Sequence, residues 1–373
     1  MYAAFLDEVN TGAGLPLAGQ PPGVEVRLYD YQLKALHFMK AREAPLASNF
    51  RGGILADEQG LGKTIMCAAL VADHRGEDGG PMAANRLAHS AHSCGATLIC
   101  CTTAIRQQWR NELAKHAPSL SVVDYSGRPR DASEVSVAHE VDRLAEADVV
   151  LTTYDVLMDE LEPMEQAFES DKERRTSLGL RAREQDSTDK PSPLKYLIFW
   201  RVILDEVQKA PGSYKAGRTV RLVAAVNRWA VSGTPMELHK VNDIDHLLNF
   251  LAGGRGSTER DWQRATQAYL AQSEGADAAA SLQRQLRPFF LRRTQWQVLN
   301  EPAGHKPTIP KQVPKRFSFP LRTAERVLQA EFVLPAALRL YDHQAAVQAA
   351  AVASSAGTVG AAGAAGAAGA AGA

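Results

Sequence analysis

The stretch "GGILADEQGLGKTI" occupies residues 52–65, and how it is read decides the fold. Set against the phosphate-binding pattern G-x-x-x-x-G-K-[ST], it matches at Gly62, Lys63 and Thr64 and fails at its opening position, where Asp57 stands in place of glycine. "GGILA" has the composition of a buried strand, and "GKTIMCAALVADH" (62–74) that of the helix after it. A glycine-containing loop between such elements turns backbone N–H groups and the positive end of the helix dipole toward an anion. Gly60, Leu61 and Gly62 let the chain curl around phosphate oxygens, and Lys63 supplies a point charge for the β- and γ-phosphates of ATP. The Thr64 hydroxyl is a ligand of the type Mg²⁺ takes. Alone, the match is equally a helix start that happens to read "GKT".

Two later strand ends add to it. "WRVILDEVQ" (200–208) closes an apolar run in Asp205 and Glu206. A carboxylate at a strand tip beside a phosphate loop holds Mg²⁺, and the neighbouring Glu206 polarises the attacking water. Gln208 is placed to relay phosphate state to the rest of the lobe. "NRWAVSGTP" (227–235) ends another apolar run in Ser232, Gly233 and Thr234, short groups suited to couple the nucleotide site to motion. Taken singly, the first is also a solvated acidic helix start and the second an ordinary strand exit.

Around these motifs, "ATLICC" and "DVVLTT" are further short runs rich in β-branched residues, as expected for strands buried on both faces. Helical candidates lie at 62–74, 104–116, 217–226, 241–251 and 258–272. The alternation predicts an α/β fold, a RecA-like doubly wound and mainly parallel sheet with helices on both faces. Residues 1–25, with "GAGLPLAGQPPG", read as a flexible lead-in without a core of its own. Residues 26–335 form the lobe, 162–195 a charged inserted loop, and 336–373 an Ala/Gly-rich low-complexity tail.

The chain has 373 residues, with 42 basic and 42 acidic side chains in balance, so polyanion binding has to be local rather than global. Cys67, Cys94, Cys100 and Cys101 have no zinc-type spacing and are expected as reduced, buried thiols. No signal pattern opens the chain, and no apolar run reaches the ~18 residues of a membrane helix, so a soluble intracellular protein is expected.

The order of phosphate loop, acidic strand end and S-G-T strand end resembles the first motor lobe of superfamily-two helicases, and more narrowly the Swi/Snf-type DNA translocases. That family commonly has a non-glycine residue at the position of Asp57, and more often methionine at that of Gln59. "RLYDYQLKALHFM" (27–39) resembles its opening helix, which implies that Gln32 faces the adenine. "ATLICCTTAIRQQWRNEL" (96–113) resembles the next motif, implying Thr102 and Thr103 near a DNA phosphate and Trp109 packing the following helix. "ADVVLTTYDVL" (147–157) implies Thr152, Thr153 and Tyr154 along the tracked strand. "LRPFFLRRT" (286–294) implies Arg292 and Arg293 aimed at the interlobe cleft. Without the resemblance, Thr-Thr-Tyr and Trp109 read as capping and core residues.

"SPLKYLIFWRVILDEVQ" and "VNRWAVSGTPMELHKVNDIDHLLNFLAG" look most like the branch in which ubiquitin ligases combine such a motor with linker-histone, PHD and RING modules. The resemblance implies a nuclear, ATP- and Mg²⁺-dependent ATPase acting on double-stranded DNA or nucleosomes without unwinding, with a second motor lobe in cis or trans. Ubiquitin-pathway partners follow only if a RING is encoded with it, since the chain carries no RING or PHD cysteine set. After Phe332 there is no arginine-rich motif of a second lobe, so the expectation is a fragment or one half of a split motor, hydrolysing ATP poorly alone. A non-catalytic DNA- or protein-binding scaffold is the alternative. A metabolic P-loop kinase would leave "DEVQ", "SGTP" and the Trp109 motif idle.

Overall fold

The computed structural model describes residues 9–44, 51–76, 92–129, 131, 133–160, 192–206, 223–234, 247, 250–251, 283–284 and 286–301. Within them the chain runs α1 (Asp30–Glu43), β1 (Arg51–Leu55), α2 (Lys63–Asp73), β2 (His92–Cys101), α3 (Thr103–His116), β3 (Val122–Asp124), α4 (Glu134–Ala145), β4 (Val149–Thr153), α5 (Tyr154–Asp159), a 3₁₀ turn (Pro193–Tyr196), β5 (Leu197–Asp205), β6 (Ala224–Val231), β7 (Phe290–Leu291) and α6 (Gln295–Asn300). The seven strands form one sheet in the order β3-β4-β2-β5-β6-β1-β7, and every pairing is parallel. The expected doubly wound sheet is what the chain builds.

Parallel strands covered on both faces must send alternate side chains into two separate cores, and they do. Ile54, Leu98, Cys100, Val150, Val202, Leu204 and Ala230 face one core, with Val137, Val141 and Leu144 of α4 and Leu157 of α5. Leu55, Ile99, Cys101, Leu151, Ile203, Trp229 and Val231 face the other, with α1, α2, α3 and Val298 of α6. The crowding between β1 and its neighbours explains "GG" at its start: an added Cβ at Gly52 would meet the Arg228 carbonyl at 1.8 Å.

One of the expected helices is corrected. Over 217–226, residues 224–226 belong to β6, because Ala224 and Ala225 pair with Ile198 and Phe199 of β5; 217–222 lie outside the described residues. β3 and α4 were not anticipated; β3 is three half-buried residues, too short for a period-2 signal. The segment expected as a lead-in is tied to the lobe from Val9 onward. Val9 is buried in the first core, Asn10 accepts from the Arg292 N–H, and the Ala18 N–H donates to Leu33 O. Most of the inserted loop (162–191), the tail and residues 258–272 lie outside the described residues. Among those described, no helix is long and apolar enough to cross a membrane. All four cysteines are free and buried, as their spacing implied.

One buried charge cluster stiffens the sheet's middle. Arg201 on β5 donates to both carboxylate oxygens of Glu43 (2.5 and 2.6 Å), to Thr97 Oγ1 and to the His74 carbonyl, while Trp229 Nε1 also donates to Glu43. Burial works against ionising Glu43, but Arg201 and these donors outweigh it and hold the carboxyl below the ordinary range.

Candidate nucleotide site at the strand ends

Register brings the motifs together. Val231 is the Cα partner of both Leu55 and Asp205, so the phosphate-loop strand and the acidic strand flank the S-G-T strand with their C-terminal ends level. Ligands of open α/β sheets bind at this edge.

The loop itself has the geometry the glycines imply. Gly60 and Gly62 both have left-handed φ (+89° and +79°), and Gly62 is the N-cap of α2. A side chain on Gly62 would be strained, and its Cβ would meet Gln32 Nε2 at 2.6 Å. Lys63 Nζ donates to the Asp57 carbonyl at 2.8 Å and to the Glu58 carbonyl at 3.4 Å. Its burial lowers the ammonium's pKa, against the carboxylates of Asp57, Glu206 and Asp205, which favour the charge. Gly233 closes the loop from the other side, with its Cβ direction 3.4 Å from Lys63 Nζ and 3.5 Å from the Gln59 nitrogen. Ser232 is fully buried, its N–H on the Leu55 carbonyl and its Oγ accepting from the Thr234 N–H.

At the end of β5, Asp205 is 8% exposed, and Trp109 Nε1 donates to its Oδ2 at 2.7 Å. Burial pushes its carboxyl up to about 6, although the Trp109 N–H and Lys63 both favour the ionised form. Glu206 follows with φ +53°, a left-handed conformation uncommon for a residue with a side chain. Its N–H donates to the Val231 carbonyl, which bends the chain over the neighbouring strand. Gln208 lies outside the described residues.

Several side chains take partners that the motifs did not announce. Asp57, at the failed glycine position, is fully buried and accepts from Arg293 through Nε at 3.0 Å, the backbone N–H at 3.0 Å and Nη2. Arg293 also donates to the Tyr31 carbonyl and lies over the Tyr31 ring. Arg292 donates to the carbonyls of Ala56 and Gly233 at 2.8 and 3.0 Å, bridging the phosphate loop to the S-G-T strand. The expectation that these two arginines aim at an interlobe cleft is therefore corrected: both are buried, and the hydrogen bonds described for them go to groups of the lobe itself. Gln32, 5% exposed, is engaged by the loop, donating to the Leu61 carbonyl at 3.3 Å and accepting from the Tyr29 N–H.

The residues expected along a DNA strand divide. Thr103 is exposed and donates to Asp155 Oδ2 at 2.7 Å, and Thr102 is the half-buried N-cap of α3. Thr152, Thr153 and Tyr154 turn inward, at 0, 3 and 1% exposure. Thr152 donates to the Tyr125 carbonyl, Thr153 caps α5, and the Tyr154 hydroxyl donates to the Asp205 carbonyl at 3.0 Å. Their side chains serve the lobe's interior, which corrects the expectation of strand contact for these three. For Thr152 and Thr153 the signal is their place in a parallel strand with both faces covered; Tyr154 follows at the start of α5.

The donors for a divalent cation fit the small, hard kind. Thr64 and Asp205 offer only oxygen, and no group of three or more His, Cys, Asp or Glu side chains that could hold a metal occurs among the described residues. Mg²⁺ bound with a nucleotide needs no such cage, since phosphates and water complete its shell.

Comparison with known proteins agrees with the architecture. A profile of the SNF2-related domain matches residues 31–355. The DNA repair protein rad5 of Neurospora crassa is 27% identical over 299 residues, covering 75% of this chain and 22% of that protein. The E3 ubiquitin-protein ligase SHPRH of Homo sapiens is 34% identical over 163 residues, covering 43% and 9%. Among solved structures, the Sulfolobus solfataricus SWI2/SNF2 ATPase core in complex with dsDNA has the same fold, with TM-score 0.50 and 23% identity over 75% of this chain and 47% of that one. The chain spans about a quarter or less of the length of the curated relatives it matches.

Proposed function

Because this chain belongs to the SNF2-related domain family, we propose that it is the ATP-binding lobe of an ATP-dependent double-stranded-DNA translocase of the chromatin-remodelling type. The observation that carries the reading is the convergence of Lys63, Gly233 and the Asp205–Glu206 strand end on one loop with two left-handed glycines. Gly60 to Thr64 present N–H groups and Lys63 to phosphate, and Ser232 to Thr234 sit where a change in the loop reaches the next strand. Thr64 and Asp205 would hold Mg²⁺, which supplies charge neutralisation for the transferring phosphoryl group. Glu206, on its strained backbone, aligns and deprotonates water. Gln208 relays phosphate state, and Gln32 reads the base.

Phosphoryl transfer also takes an arginine supplied across a cleft, worth about 10³–10⁵ in rate, which assigns that role to a second lobe in cis or in trans. Double-stranded DNA, including DNA on nucleosomes, is the polymer tracked, through Thr102, Thr103 and the start of α3; the exposed Thr103 supports this. The setting is the nucleus, and ubiquitin-pathway partners belong to the whole protein where a RING accompanies the motor. Binding of a fluorescent ATP analogue, its loss in Lys63→Ala, and duplex-stimulated hydrolysis once a second lobe is added test the proposal. A wild-type chain that binds no nucleotide would overturn it.

A further inference from the structure

Two buried side chains outside the phosphate loop grip the same residue. Trp109 on α3 donates to Asp205 Oδ2 at 2.7 Å, and Tyr154 at the start of α5 donates to the Asp205 carbonyl at 3.0 Å. The residues that hold Asp205 thus come from two helices, which are also joined to each other by Thr103 and Asp155. Trp109 is 2% exposed and belongs to the core that α3 shares with α1, α2 and the sheet, so its indole is held by packing.

A carboxylate's terminal torsion is soft and roughly two-fold, so a strand-end aspartate with no fixed partner samples a broad range of orientations. An indole N–H can only donate, so it pairs with a carboxylate oxygen and leaves the group's plane set by a rigid ring. We infer that Trp109 is a positioning residue for metal binding: by occupying Oδ2 in a fixed direction it sets the plane in which Asp205 offers its other oxygen to Mg²⁺. A residue that only filled the core would need the ring and not the N–H.

The inference rests on the nucleotide reading of this site. The test uses the full 373-residue chain and a fluorescent ATP analogue titrated with Mg²⁺. In Trp109→Phe, the Mg²⁺ concentration at half-maximal analogue binding is expected to rise about tenfold, the scale of one hydrogen bond to a charged group. Binding without Mg²⁺ stays within about twofold of wild type on the same scale. Replacement of Trp109 by 3-benzothienylalanine, which keeps the indole's shape with sulfur in place of N–H, should reproduce the shift, and it carries the test if the phenylalanine variant does not fold. An unchanged Mg²⁺ requirement in the folded variant overturns the inference while leaving the nucleotide reading intact. Absence of analogue binding in the wild-type chain overturns both.

Discussion

Asp57 and Arg293, 236 positions apart, form a buried two-pronged ion pair directly behind the phosphate loop. The aspartate lies just past β1 and the arginine just past β7, so the pair staples the sheet's last strand to the loop. Removing one partner leaves the other charged and out of water. Asp57→Gly, which would complete the phosphate-binding pattern, should therefore lower stability by about 3–5 kcal/mol and weaken ATP binding rather than improve it. Denaturant unfolding with parallel nucleotide binding checks this, and tighter binding in the glycine variant would refute it.

Among the described residues Lys63 Nζ donates to carbonyls of its own loop alone, so its removal costs the fold little. Lys63→Ala is expected to change stability by less than about 1 kcal/mol while reducing nucleotide affinity by at least about tenfold. Gly62→Ala should do the opposite in part: its left-handed φ and the contact with Gln32 predict a loss of about 1–2 kcal/mol together with weaker binding. Thermal unfolding of the two variants separates them.

Glu206 holds a left-handed backbone at the reacting end of β5. Glu206→Gly should relieve that strain and stabilise the lobe by about 1 kcal/mol. The same change removes the group assigned to the attacking water, so hydrolysis in the presence of a second lobe should fall by at least about 10²-fold with nucleotide binding kept. Equal hydrolysis by the glycine variant would remove Glu206 from that role.

Stability without added nucleotide should depend on pH through buried carboxylates shifted in opposite directions, Asp205 and Glu160 upward by burial and Glu43 downward. Asp205 has its pKa raised to about 6 by burial, so between the ordinary aspartate value and 6 the folded state binds more protons than the unfolded one. Stability therefore rises as pH falls through 6 toward 4, by on the order of 3 kcal/mol at most. Glu43 is held below its usual range, so its contribution is full above that range and is lost as pH drops through the lowered value. The expected profile peaks near the two ordinary carboxylate values, at about pH 4–5. Asp205→Asn should make the limb above the peak shallower, and Glu43→Gln the limb below it, in denaturant unfolding measured across pH.

The legible part of this protein is its local grammar. Runs such as "ATLICC" and "WRVILD" are short, apolar and β-branched, and "GLGKT" turns a strand into a helix; neighbours within a few positions decide such features, so the sheet and its loop could be read from them. β3 and the strand character of Ala224–Val226 escaped because pairing with β4 and β5, not local pattern, makes them strands. Trp109 looked like a core residue and is one, but its N–H direction becomes visible only when α3 is laid over β5.

From the sequence alone came the fold class, the phosphate loop, the acidic and S-G-T strand ends, and the family to which the order of motifs belongs. Tertiary structure alone decided what each polar side chain is bonded to. It turned Asp57 from a missing glycine into the anchor of Arg293, and moved Thr152, Thr153 and Tyr154 from a surface to an interior. The reason is physical: hydrophobic period and turn chemistry are properties of adjacent residues, whereas satisfying a buried charge or N–H takes a partner that only parallel register and helix packing bring within 3 Å.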